Sequence, residues 1–252
     1  MIDVVNVRKS FRGRPVLRSL NLTIKRGETM VIIGRSGCGK SVLLKHIVGL
    51  LKPDSGQVLV GGIDITKIHG RELDKIRLKF GMLFQGAALF DSLTVGENVG
   101  FLLNEHALFG PDEITRKVAE SLAHVGLSGI EHMKPAELSG GMKKRVGLAR
   151  AICHNPEVIF YDEPTTGIDP IMADVINNLI VALNKKLNTT SIVVTHDMVS
   201  AYKVATRIAM LYEGAIIAVG NPDEIRATDN PVVRQFITGA AEGPITEAEQ
   251  RR

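Results

Sequence analysis

Apolar and polar positions alternate at the start of the chain: Ile2, Val4, Val5 and Val7 form one run, and Leu20, Leu22 and Ile24 form another, closed by Arg26-Gly27. A period near two residues belongs to a strand with one buried face, so these runs predict an antiparallel β-layer. The pattern then changes. Met30, Val31, Ile32 and Ile33 follow Glu28-Thr29 without alternation, as in a strand buried on both faces. They lead through a glycine-rich stretch, residues 34–39, into the helical spacing of Leu43, Leu44, Ile47 and Val48. Continuous apolar runs recur at residues 158–161 and 191–194, each flanked by helix-like segments. Such strands alternating with helices predict an α/β fold, a parallel sheet covered by helices.

Helical periodicity takes over between Gln85 and Pro156, from Val95 to Leu103, from Ile114 to Val125 after Pro111-Asp112, and from Met142 to Cys153. This predicts a helical subdomain, about residues 86–155, inserted into a core domain spanning residues 1–238. Residues 206–212 and 215–219 around Glu213-Gly214 predict a hairpin, and residues 222–227 and 232–237 two short helices. The tail, residues 239–252, has too little apolar surface to fold alone.

Composition narrows the class. The 252 residues are 44% hydrophobic and 23% charged, as in an ordinary globular protein. Lysine and arginine exceed aspartate and glutamate, 31 against 27; a net charge of +4 is too small and too dispersed for a nucleic-acid binder, and the absence of tryptophan removes a base-stacking platform. Nucleic acid is therefore not expected as a partner. The opening MIDVVNVRKSFRGRP lacks the apolar core of a signal peptide, and no apolar run approaches the roughly 18 to 20 residues that span a bilayer, so a membrane role must pass through a partner. Cys38 and Cys153 stand alone, without metal-ligand spacing, which suits a reducing cytoplasm.

Three motifs carry chemistry. Gly34, Arg35, Ser36, Gly37, Cys38, Gly39, Lys40 and Ser41 fit GxxxxGK[ST], in which backbone N–H groups close around phosphates, the lysine reaches the β- and γ-phosphates, and the hydroxyl ligates Mg²⁺. The helix start adds potential favourable to anions. The apolar strand at residues 158–161 runs into Asp162 and Glu163, placed to hold Mg²⁺ through water and to polarise an attacking water; a solvated turn is the other reading of such a pair. The third motif, Leu138-Ser139-Gly140-Gly141-Met142, opens a helix with exposed backbone N–H groups and a hydroxyl beside them, a second phosphate-binding geometry. Two such sites in one chain suit a head-to-tail pair of copies, each completing the other's site. The Lys143-Lys144-Arg145 run reads as a solvated helix face without specific function.

With these segments in order, followed by TTGID and VVTHD, the sequence resembles the ATP-binding cassette (ABC) ATPases over nearly its whole length. The resemblance implies a P-loop NTPase (RecA-like) core with ATP and Mg²⁺ as cofactors. It implies that Phe11 stacks on adenine, Gln85 contacts Mg²⁺ and water, His196 senses the γ-phosphate and Asp169 signals between subunits. Taken singly, Phe11 also suits a core, Gln85 a surface and His196 a strand end. One departure is Met142, where the family usually has glutamine. Met142 together with SVLLKHIVGLLKPDSG, FQGAALFDSLTVGENV and DEPTTGIDPIMADVI is similar to the ATPase subunit of the Mla phospholipid-trafficking transporters. That likeness implies a homodimer on the cytoplasmic face of the inner membrane, bound to permease subunits and an MCE-domain lipid-binding protein, with phospholipid as the indirect substrate. Separately, the tail, with Pro244 and Ile245 as anchors, is expected either to lie along the partner ATPase or to be a disordered end without a role, and Phe90, with Leu89 and Leu93, either to border a groove for the permease or to pack inside the helical subdomain. A polar-nutrient importer of the amino-acid type shares the same nucleotide site. A soluble ABC regulator of DNA or ribosomes commonly has two cassettes or a coiled-coil insertion, and this sequence has neither.

Overall fold

The computed structural model describes residues 1–250, with side chains through Ala248. The chain forms two compact units, one from Met1–Ile68 with the chain from Val194 onward, the other from His69–Val193. Along the chain the first unit contributes β1 (Ile2–Phe11), β2 (Arg14–Ile24), β3 (Thr29–Ile33), α1 (Lys40–Ile47), β4 (Ser55–Val60) and β5 (Ile63–Asp64). The second contributes α2 (Arg71–Arg77), β6 (Phe80–Leu83), α3 (Val95–Glu105), α4 (Pro111–His124), α5 (Gly140–Ile152), β7 (Val158–Asp162), α6 (Pro170–Leu187) and most of β8 (Thr190–Val194). The first unit resumes with α7 (Met198–Val204), β9 (Arg207–Tyr212), β10 (Ala215–Gly220), α8 (Pro222–Arg226), α9 (Pro231–Thr238) and α10 (Pro244–Gln250).

In the first unit, the alternating runs pair as an antiparallel layer of order β2-β1-β4-β5, with Ile2 opposite Ile24 and Val4 opposite Leu22. Their apolar sides are buried and their polar sides are not, which is why the two-residue period is visible. All five residues of β3 are buried; β3 pairs in parallel with β9, which turns back antiparallel into β10 through Glu213-Gly214. In the second unit the order is β8-β7-β6, with β6 parallel to β7 and Gly81 opposite Ile159. Gly81 has to be glycine, because a Cβ there would stand 2.1 Å from the Ala151 carbonyl oxygen of α5. Pro111 opens α4, while Thr94 and Glu97 form a capping box on α3, giving each helix a defined start.

The tail, expected to have too little apolar surface to fold alone, is helical from Pro244 and packs on its own chain. Ile245 is buried, its N–H donates 2.7 Å to Gln235 Oε1, and Gln235 Nε2 donates to Ala240 O and Thr246 Oγ1, both at 3.2 Å. One apolar anchor and a buried amide thus dock α10 on α9 of the same chain. The last two residues of the sequence, 251–252, lie outside the described residues.

Candidate active site

The phosphate loop joins β3 to α1 in the first unit, and its backbone explains its glycines. Gly34 has φ +150°, and a Cβ there would lie 2.4 Å from Leu211 O of β9. Gly39, at φ +109°, is the N-cap of α1 and supplies no side-chain cap to the first N–H groups of the helix, an arrangement that suits an anion. Lys40 is 7% exposed and donates to Gly34 O at 2.6 Å and Arg35 O at 3.0 Å, which holds its charge inside the loop. Ser41, Ser36 and Gly37 are exposed, and Arg35 and Cys38 half-buried. Burial pushes the Cys38 thiol up against the pull of the Lys40 charge, so no thiolate competes with phosphate. A cavity of about 230 Å³ borders the loop at Arg35 to Cys38 and is walled on another side by Ile245 and Ala248 of α10.

His196 belongs to the same unit. Thr195 N–H donates 3.2 Å to Ile32 O, setting the exposed His196 beside the carboxyl end of β3, where the phosphate loop begins. Asp197 then caps α7 through the N–H groups of Val199 and Ser200. Phe11, at the end of β1, is 42% exposed, with the Lys9 ammonium 5.6 Å from its ring centroid. It does not line the loop cavity.

The second unit holds the carboxylates. Asp162 ends β7, and Glu163 follows with φ +49°, a left-handed conformation unusual for glutamate. Thr166 Oγ1 donates 3.1 Å to Glu163 Oε2 and fixes the carboxylate's direction. Ser139 N-caps α5, accepting from Met142 N–H at 3.2 Å, while Gly140 and Gly141 form the first turn. A Cβ on Gly141 would approach Met172 Cε to 2.6 Å, so its smallness lets α5 rest on α6. Asp169 caps α6 through Ile171 and Met172 N–H, both at 3.0 Å.

Gln85 is exposed, and the segment after it carries features that the sequence reading missed. Ala87 and Ala88 have φ +60° and +47°, and Arg150 holds both carbonyls, at 2.6 and 2.7 Å. Asn98, fully buried, accepts from Phe90 N–H at 2.8 Å and donates to the carbonyls of Phe90, Leu93 and Thr94, clamping the loop that presents Phe90. Phe90 is 44% exposed, stacks against Phe101 at 4.7 Å and lines an apolar groove of about 380 Å³ with Phe84, Ala88 and Leu102. The expectation of a solvated Lys143-Lys144-Arg145 face is wrong at Lys144, which is 5% exposed and donates to the carbonyls of Gln85 and Glu163. A basic triplet carries no sign of which member turns inward. The 3.6-residue period, placing Lys144 three residues before Gly147 on the side of α5 facing β6, was the available signal.

The ABC transporter family model matches residues 17–166, more than half of the chain. The chain is 41% identical over 250 residues to the probable ribonucleotide transport ATP-binding protein mkl of Mycobacterium tuberculosis, covering 99% of this chain and 70% of that one. It is 40% identical over 245 residues to the intermembrane phospholipid transport system ATP-binding protein MlaF of Haemophilus influenzae, covering 97% and 93%. Among solved structures, it matches the ATP-binding cassette MJ0796, a dimer in a post-hydrolysis state with ADP and Pi, with a TM-score of 0.81 and 34% identity over 88% of this chain and 99% of that one. The chain therefore has the P-loop NTPase fold and is an ATPase of the ABC transporter family.

Proposed function

We propose that the chain hydrolyses ATP as the cytoplasmic subunit of a transporter that moves phospholipid between bacterial membranes and maintains outer-membrane lipid asymmetry. The observation that carries this reading is the nearly end-to-end relationship to MlaF. Met142 after LSGG supports it. The relationship to mkl names a ribonucleotide for that protein, and the nucleotide machinery is common to both readings.

Hydrolysis here is positioning and charge neutralisation. Lys40 neutralises the β- and γ-phosphates, the loop N–H groups of residues 34–41 bind their oxygens, and Phe11 stacks on adenine. Glu163 takes the proton of the attacking water while His196 reads the γ-phosphate. Ser41, Gln85 and Asp162 offer only oxygen donors, the set a hard cation takes, and no cluster of three or more His, Cys, Asp or Glu suited to a metal occurs among the described residues. Such a donor set would hold Mg²⁺, and the chemistry the ion would supply there is neutralisation of charge on phosphate oxygens. Ser139, Gly140 and Gly141 complete the site of a second copy, and Asp169 carries the signal between copies.

No helix among the described residues is long and apolar enough to cross a membrane. The groove at Phe90 receives a cytoplasmic helix of the permease, placing the ATPase at the inner face of the inner membrane beside an MCE-domain lipid-binding subunit. The test is to purify the assembled complex from a tagged copy of this chain, identify its subunits and lipids, and reconstitute it in phospholipid vesicles. Co-purified phospholipid, an MCE-domain subunit and ATP-dependent movement of a fluorescent phospholipid are expected. A complex containing a soluble solute-binding protein, with ATP hydrolysis stimulated by amino acids or ribonucleotides and unaffected by phospholipid, overturns the reading.

A further inference from the structure

Helix α5 (Gly140–Ile152), the signature helix that the LSGG motif opens and Ser139 caps, carries Lys144, Gly147 and Arg150 three residues apart on one face. That face lies against the segment following Gln85. A Cβ on Gly147 would stand 2.9 Å from Leu83 Cδ1 and 3.2 Å from Ala87 Cβ, so the segment rests directly on the helix. Ala87, Ala88 and Glu163 are non-glycine residues with positive φ, and their three carbonyls are held by the two cations of this face: Arg150 binds those of Ala87 and Ala88, and Lys144 binds that of Glu163 at 3.3 Å. Lys144 also binds the carbonyl of Gln85. Burial lowers the pKa of this ammonium, while the charges of Glu163 and Asp162 act to raise it.

We propose that Lys144 is a positioning residue for hydrolysis, joining the carbonyl of Gln85 to that of Glu163 so that these two residues keep one fixed relation to each other and to the signature helix. The proposal rests on the reading of Glu163 as general base and Gln85 as a water-positioning group. An ammonium supplies several donors from one point, so a single side chain binds two carbonyls on separate segments. The link acts on the attacking water and leaves phosphate binding to residues 34–41. Its loss therefore falls on kcat, with KM for ATP preserved.

Steady-state hydrolysis of Mg-ATP by the full chain tests this with Lys144→Met, which keeps an unbranched stem and removes the donors, and Lys144→Gln, which keeps two N–H donors without the charge. The expected result is a fall in kcat of about ten-fold or more for Lys144→Met, with KM within about two-fold, and a Lys144→Gln kcat at least about three-fold higher than that of Lys144→Met and above about one-tenth of the parent. A Lys144→Met kcat within two-fold of the parent overturns the proposal. So does a loss of Mg-ATP binding or of melting temperature that accounts for the lost rate, or a Lys144→Gln variant as slow as Lys144→Met. If Lys144→Met does not fold, the comparison of Lys144→Gln with the parent decides, and a kcat at or below one-tenth of the parent with unchanged melting then overturns the role of the hydrogen bonds. Glu163→Gln, measured alongside, separates the two readings. Turnover in that variant removes the general base itself, whereas its inactivity beside a fully active Lys144→Met removes only the role of Lys144.

Discussion

Two glycines of one loop answer to different constraints. Gly34 and Gly37 both have positive φ, but a Cβ on Gly34 would collide with Leu211 O at 2.4 Å, whereas nothing lies within 4 Å of one on Gly37. Alanine at position 37 meets only the backbone penalty of the left-handed region, about 1 to 2 kcal/mol. At position 34 it also displaces either the loop or β9. Gly37→Ala should therefore fold and bind Mg-ATP within about thirty-fold of the parent, since 1.4 kcal/mol is a factor of ten. Gly34→Ala should bind at least ten-fold more weakly than Gly37→Ala. Titration calorimetry on the two variants checks this, and equal affinities would show that β9 does not constrain the loop. The motif told which positions matter, but which glycine is forced by crowding depends on β9, some 170 residues downstream, and no local pattern encodes that distance.

At the scale of elements, the loop between β6 and α3 is held by other elements rather than by its own sequence. Asn98 reaches back from α3 and Arg150 across from α5, so the exposed Phe90 sits on a rigid base. Truncating a fully buried phenylalanine costs about 3 to 5 kcal/mol. With 44% of its surface already exposed, Phe90→Ala should cost about half, near 2 kcal/mol, or a fall of about 4 to 8 °C in Tm. Phe160, fully buried in β7, should cost the full amount. In the proposed transporter, Phe90→Ala should lose permease on co-purification by more than its modest loss of stability explains, while binding Mg-ATP normally. Retained assembly with full lipid movement would remove the groove from the mechanism. The elements were legible where one period ran long enough, as in β1, β2 and α4, or where an apolar run was continuous, as in β3. Strand β6 was not: Phe80–Leu83 is four residues long and includes a glycine, and it exists because β7 and α5 hold it. The docked α10 was missed for a related reason, since its anchor depends on the amide of Gln235, ten residues before Ile245.

For the whole molecule, the governing question is how the one phosphate loop and the one signature helix of each chain are used, since the sequence reading proposes an anion at the start of both. Ser139 already serves its own chain by capping α5, so a change there has two effects that need separating. Ser139→Ala removes the hydroxyl and should cost about 1 kcal/mol through the lost cap. Ser139→Arg adds a bulky cation at the helix start, where the dipole is unfavourable to positive charge. If the signature helix works on the nucleotide held by the other copy, two damaged chains can complement each other. Pairing a Ser139→Arg chain with a Lys40→Ala chain, each with its own affinity tag, puts both lesions into one composite site and leaves the other intact. Each homodimer, by contrast, has one lesion in both of its sites. The purified heterodimer should bind one ATP per pair and hydrolyse it faster than either homodimer, with the Ser139→Ala chain as the control for lost capping. If each chain used its own signature helix, every site in the heterodimer would carry a lesion, and its rate would lie at the average of the two homodimers. A rate above both homodimers is therefore the result that requires two copies in the working enzyme.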